Sequence, residues 1–367
     1  MIFHKCNISF FRVLNILLSV SLIFISRIIL PNTDEADYPD RVNNILNADE
    51  PFFAYYQYLR PLLNDLDWTK NTLDFKSYVL RVLFTIIIFL PIYLYILKSK
   101  KNNLKNNQFW LDKTTILIFT LLFPSIWFHL GLYSEESFVL MLFLLIIFID
   151  SIALKTILFI AASLIDIGNT SVFLLYYIFY FATLYSIYYF KKKYTVLFLL
   201  IFLLTCNFYS MDLLYLIEWL PIIGEKVSFI ISQYQSLYDI NNKYPLILRP
   251  IISFISIIFM LPVSHLMVWP IYPFCFYFSI KTFRLLISSK FKNDKISASF
   301  LASLTLVISV PMILPGFSNG KYYVFVIPYI INSTTYLYNK LNIYYFILLC
   351  NLIVFLFLFL NYLNTIT

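Results

Sequence analysis

Apolar residues run in long uninterrupted stretches along this chain, and the ionisable residues gather at the ends of those stretches. Runs of about 17 residues or more with few charges predict transmembrane helices. The pattern predicts spans over residues 13–30, 78–97, 114–130, 137–152, 195–209, 298–314, 322–338 and 344–362. The stretch 156–190 is different. As one helix it would be ~52 Å long, against a hydrocarbon core of ~30 Å. Both of its ends are basic, Lys155 and Lys191, so it should cross, turn and return, with a break at Asp166-Ile167-Gly168-Asn169-Thr170-Ser171. The stretch 250–280 is interrupted by Pro262, Pro270 and Pro273 and reads as one crossing followed by an interfacial aromatic segment at 269–278. The expected fold is all-α: a polytopic integral membrane protein with about 11 transmembrane helices. Residues 1–367 form a single membrane domain in this reading, with 13–30 as a retained signal-anchor and large external loops at about 31–76 and 211–249. No internal repeat is visible, so an inverted-repeat transporter is not supported.

Composition agrees. The 367 residues are 61% hydrophobic and only 13% charged, with a mean hydropathy of +0.80. A soluble fold has too little interior to hide that much apolar surface. Five glycines, and neither a GxxxxGKS/T nor a GxGxxG pattern, exclude a phosphate loop and with it a nucleotide-driven pump. Cys6, Cys206, Cys275 and Cys350 are far apart and mostly lie in apolar runs; they read as small core residues, not as a disulfide or zinc framework. No metal or other cofactor is expected.

The net charge of +8 does not point to nucleic acid, because the basic residues sit between apolar runs. They form three clusters: Lys98, Lys100, Lys101, Lys105 and Lys113; Lys191, Lys192 and Lys193; and Lys281, Arg284, Lys290, Lys292 and Lys295. Clusters of this kind mark cytoplasmic loops. The N-terminus with Lys5 is then inside, and the loop 31–76, rich in carboxylates, faces outward.

The candidate chemistry lies on that outer face. Asp34 and Asp37 are nearest the first span, and a carboxylate there can serve as general base toward an acceptor hydroxyl. Glu135 and Glu136 close a second external turn, 123–138, and cannot both face lipid. Glu135 is the competing base and Glu136 a substrate contact. Two cations stand on the outer side against the usual charge bias: Arg249 before Pro250, and Lys321 before Tyr322. Either pairing with the acidic loops or binding of a phosphate or pyrophosphate at headgroup depth accounts for them, and for the second Arg249 suits bidentate contacts better than a lysine does. Asp166 and Asn169, at the break in 156–190, are further substrate-binding candidates. A base for the acceptor and cations for a leaving phosphate together suit transfer from a lipid-phosphate-linked donor.

The arrangement resembles the bacterial polysaccharide repeat-unit polymerases, the Wzy and EpsG-like proteins. These open with a span, then an external Asp-Tyr segment and a Glu-Pro step, here Asp37-Tyr38 and Glu50-Pro51-Phe52-Phe53. It is also similar to the GT-C glycosyltransferases. Phe123-Pro124-Ser125 with Tyr133-Ser134-Glu135 looks like their Pro-Ser and Tyr-Ser/Thr-Glu turn, and Lys321-Tyr322 with Pro328 like their Arg-Tyr and Pro segment, with lysine in place of arginine. The resemblance implies a GT-C-like enzyme of the bacterial inner (plasma) membrane that polymerises undecaprenyl-pyrophosphate-linked oligosaccharide into O-antigen or capsule. Its partners would be that glycan, membrane lipids and a chain-length regulator, with no nucleic acid. The alternatives are a GT-C transferase using a polyprenyl-monophosphate sugar and, from another class, a polysaccharide flippase or transporter.

Overall fold

The computed structural model describes residues 10–22, 75–102, 107–123, 126, 135–166, 169–219, 228, 231, 280–281, 284, 293–313 and 320–366. Among these, all regular structure is helical. The chain is rich in isoleucine and aromatics, which suit strands. A segment surrounded by hydrocarbon must satisfy its backbone internally, however, and only a helix does so. Helix α1 is Phe10–Leu22, α2 Phe75–Asn102, α3 Asn107–Leu121, α4 Glu135–Phe148 and α5 Ile152–Ile165. There follow α6 Thr170–Phe208, α7 Ser210–Glu218, α8 Asp294–Ile313, a 3-10 helix Gly320–Val326, α9 Ile327–Leu337 and α10 Lys340–Ile366. Among the described residues, two stretches are long and apolar enough to cross a membrane, Thr170–Cys206 and Asp294–Ile313. The chain divides into two compact units, Met1–Gly168 with Lys340–Thr367, and Asn169–Asn339.

In the first unit α1, α3 and α10 run parallel. Arg12 Nε donates to the Tyr344 hydroxyl at 3.0 Å, and further along Asn351 Nδ2 donates to Ser19 Oγ at 3.3 Å. In the same order Lys340 Nζ donates to Thr115 Oγ1 at 2.9 Å, the Phe119 and Tyr344 rings meet at 4.6 Å, and Asn351 Nδ2 reaches the Leu122 carbonyl at 3.1 Å. These are the segments that the charge pattern sends in one direction. Asn351 is fully buried and ties three helices together. Asn351→Leu should therefore lower stability by about 1 kcal/mol, seen as a lower melting midpoint of the detergent-purified protein; an unchanged midpoint would show that packing alone holds α1.

The link from α4 to α5 is three residues, 149–151, which forces an antiparallel hairpin. Ser151 starts α5 by accepting the Leu154 N–H at 3.5 Å. Lys113, just ahead of the apolar run in α3, closes the end of α4: its Nζ donates to the Phe148 carbonyl at 2.7 Å and lies over the Tyr95 and Phe148 rings. Burial pushes the Lys113 pKa below the ordinary lysine value; nearby Asp150 works the other way and Lys155 adds to the lowering. One end of this unit thus carries Arg12, Lys113, Lys155 and Lys340. Glu136 and Asp166 occupy the other.

In the second unit α6 is folded back on itself. Ser186 Oγ and Thr195 Oγ1 are 2.9 Å apart, although nine residues of straight helix would separate them by ~13 Å. Further from the turn, Phe179 and Phe202 meet at 5.7 Å. The reversal is at Lys191, with φ 67° and ψ 155°. It leaves two arms, 170–190 and 192–208, divided at the basic run where the sequence places a loop. Their outer faces are apolar and exposed, with Ile178 at 59% and Phe198 at 67%.

Helix α8 is the buried centre of this unit. Ser297, Ala298, Ser299, Ala302 and Ser303 are all buried, and small side chains let neighbouring helices approach closely. The first arm and the second share one cluster with it, Ile187, Val196, Ala298 and Leu301. Helix α9 packs antiparallel to α8 through Ile296 and Phe300 against Ile330 and Leu337. Lys192 pairs with Asp294 at 3.0 Å and reaches Ser297 Oγ at 3.2 Å, where the acid also suits the N-terminus of α8.

The break expected in 156–190 is present: α5 ends at Ile165 and α6 begins at Thr170. The stretch expected as a single helix over 322–338 instead starts as the 3-10 turn, and Pro328 sits in the first turn of α9, where its missing N–H costs nothing. The segment 211–249 opens with α7, whose Glu218 accepts from Ser228 Oγ at 2.8 Å.

Candidate functional site

The residues singled out in the sequence fall into three groups. Asp34, Asp37 and Arg249 lie outside the described residues. Glu135, Glu136 and Asp166 belong to the first unit, and Asn169, Lys321 and Tyr322 to the second.

In the first unit Glu135 and Glu136 are the opening residues of α4, where negative charge favours the helix. Glu136 is buried at 8% exposure and engaged with neighbouring groups. Charge buried to that degree must be held by the protein, so the Glu136 side chain is turned inward. Asp166 ends α5: its φ and ψ of −126° and 76° leave the helix, and its N–H still donates to the Ala162 carbonyl. Because α4 and α5 are antiparallel, the start of one and the end of the other share an end of the unit. Glu135, Glu136 and Asp166 are therefore gathered away from Lys113.

In the second unit Asn169 is the residue before α6, with φ −101° and ψ 1°. It is buried at 7% exposure. Lys321 and Tyr322 are the second and third residues of the 3-10 helix. Phe173, one turn beyond Asn169, meets Phe325, close behind Tyr322, edge to face at 4.8 Å. Tyr176 and Tyr329 continue the contact at 4.6 Å, and the Tyr177 and Tyr329 hydroxyls are 3.3 Å apart. The first arm and the segment 320–337 are thus parallel, and their beginnings lie together. That end is the one away from Lys192 and Asp294. The backbone thus brings Asn169, Lys321 and Tyr322 to one end of the unit, and all three residue types can donate hydrogen bonds to anionic oxygen.

Some of the arrangement has no counterpart in the sequence reading. Tyr176 is buried with its hydroxyl 3.0 Å from Ser299 Oγ, and Tyr323 is buried with its hydroxyl unbonded among the described residues. The spacing of Tyr176 and Tyr180 on one helix face was a usable signal. Asp294, an acid inside a basic run, was another. Cys206 and Cys350, by contrast, are buried free thiols as their apolar surroundings in the sequence implied.

No family model matches the chain, and neither a curated protein nor a solved structure matches it significantly.

Proposed function

We propose that this chain is a multi-pass glycosyltransferase of the bacterial inner membrane that polymerises undecaprenyl-pyrophosphate-linked repeat units at the periplasmic face. The observation that supports this reading best is the placement of cations in the first unit. Arg12, Lys113, Lys155 and Lys340 lie at one end, with Asp150 near Lys113, and Glu136 and Asp166 lie at the other. The cationic end suits the cytoplasm, and the opposite end of that unit then lies where a lipid-linked glycan meets water. In the second unit Lys192 is paired with Asp294 at one end, and Asn169, Lys321 and Tyr322 stand at the other.

In this reading Asp34 or Asp37, or Glu135 in their place, takes the proton from the acceptor hydroxyl. The acceptor oxygen bonds to the anomeric carbon of the donor, the bond from that carbon to the pyrophosphate oxygen breaks, and undecaprenyl pyrophosphate leaves. Arg249 and Lys321 stabilise the charge on the departing pyrophosphate, and Tyr322, Glu136, Asp166 and Asn169 hold the glycan. Membrane lipids surround the protein and a chain-length regulator sets when transfer stops. No cofactor takes part.

The test is deletion of the gene in its own host. The expected product is lipid core capped by a single repeat unit, with the longer ladder lost and restored by the wild-type chain. A complete absence of capped product would assign the chain instead to a step before polymerisation, a single-sugar transferase or the flippase.

A further inference from the structure

We propose that the apex of the α6 hairpin binds the headgroups of anionic phospholipids through Lys191 and Lys193. The three consecutive lysines are not equivalent. Lys192 is turned inward, with its side chain 13% exposed, and is committed to Asp294 and Ser297. Lys191 and Lys193 are exposed and form no ion pair among the described residues. Around them stands a collar of exposed rings: Tyr185, Tyr188, Tyr189, Phe190 and Tyr194, each more than 60% exposed. Aromatic rings of this kind settle at headgroup depth, and lysines there attract anionic lipid.

The backbone supplies a second observation. Lys191 has φ 67° and ψ 155°, a region that is essentially glycine's own. Glycine would make this turn without strain. A lysine is held there although its ammonium forms no ion pair or hydrogen bond among the described residues, so its side chain serves something outside. The arms fix what that is. The first spans ~31 Å, matching a ~30 Å hydrocarbon core, and both present apolar faces. Their apex therefore sits level with lipid phosphates. Lys192 cancels Asp294, which leaves two uncompensated cations facing them.

The inference rests on the chain being a membrane protein and does not depend on glycan transfer. Its test uses the full-length protein in nanodiscs of phosphatidylcholine with and without phosphatidylglycerol, with the lipid retained after extraction read by native mass spectrometry. Wild type should retain phosphatidylglycerol preferentially. Lys191→Gln and Lys193→Gln should each weaken the preference about five-fold, and together about 25-fold. Lys192→Gln should leave the preference unchanged while lowering the melting midpoint. Lys191→Gly should lose lipid as Lys191→Gln does but raise the melting midpoint, a pairing that a merely structural lysine would not produce. Undiminished retention in the double variant overturns the proposal. A protein that enters discs of neither composition overturns it together with the membrane reading.

Discussion

Chain growth should stop when Asp37, or Asp34, is replaced by asparagine. The amide keeps the size of the carboxylate but cannot accept a proton, and loss of a general base typically costs ~10²–10⁴ in rate. At that level a polymer ladder collapses to its first rungs. Asp34 and Asp37 follow the first predicted span directly, whereas Asp65 and Asp67 lie far along the same loop. Asp65→Asn and Asp67→Asn should therefore give ladders close to wild type, as most exposed substitutions do. Glu135→Gln belongs in the series as the rival base. Glu136→Gln should behave differently from all of them. Its carboxylate is buried and engaged by the protein, so its loss should lower the amount of protein in the membrane along with the polymer. An epitope tag separates the two effects. If the variants at 34, 37 and 135 all give the wild-type ladder at wild-type levels, the carboxylates are solvating charges and the enzymatic reading loses its chief support.

The second large effect is expected inside the second unit. Ala302→Leu should destabilise it by ~3 kcal/mol, the upper end of what overpacking typically costs. Ala302 is fully buried on α8, which is enclosed by α6 on one side and α9 on another. A leucine there must push apart helices that approach closely only because the facing side chains are small. Ser299→Ala provides the comparison. It removes the Tyr176–Ser299 hydrogen bond without adding bulk, and should cost ~0.5–1.5 kcal/mol. Thermal unfolding of the detergent-purified protein measures both. Equal midpoints for Ala302→Leu and wild type would mean that α8 has an open face.

The turns were easier to read from the sequence than the pairings. The break between Ile165 and Thr170 followed from the length of the run and its two basic ends, since a bilayer does not accommodate the full run as one helix. The reversal at Lys191 followed from a basic run between two apolar ones. Which helix faces which did not follow. A segment such as α4 is apolar all round, so it carries no stripe to say which side meets α5. The same blindness affected the candidate site. That Glu135 and Glu136 lie at the end of a span was evident, because ionisable residues occur almost only there. That Glu136 is buried depends on how α4 is turned about its axis, at ~100° per residue, which a uniform apolar run does not record. The Lys192–Asp294 pair joins residues a hundred positions apart and left only the trace of one acid among bases.

The hydroxyls of α8 have a consequence for how the protein is made. Ser303 Oγ donates to the Ser299 carbonyl, Thr305 Oγ1 to the Leu301 carbonyl and Ser297 Oγ to the Asn293 carbonyl, all within the same helix or its first turn. A helix that satisfies its own polar groups can leave the translocon for lipid by itself, before any neighbour is available. The α6 hairpin is synthesised first, and at ~5–20 residues per second α8 follows it roughly ten seconds later. On the proposed membrane reading each rod can therefore rest in the bilayer alone, and the unit closes afterwards by lateral docking of small side chains instead of by forming new backbone bonds.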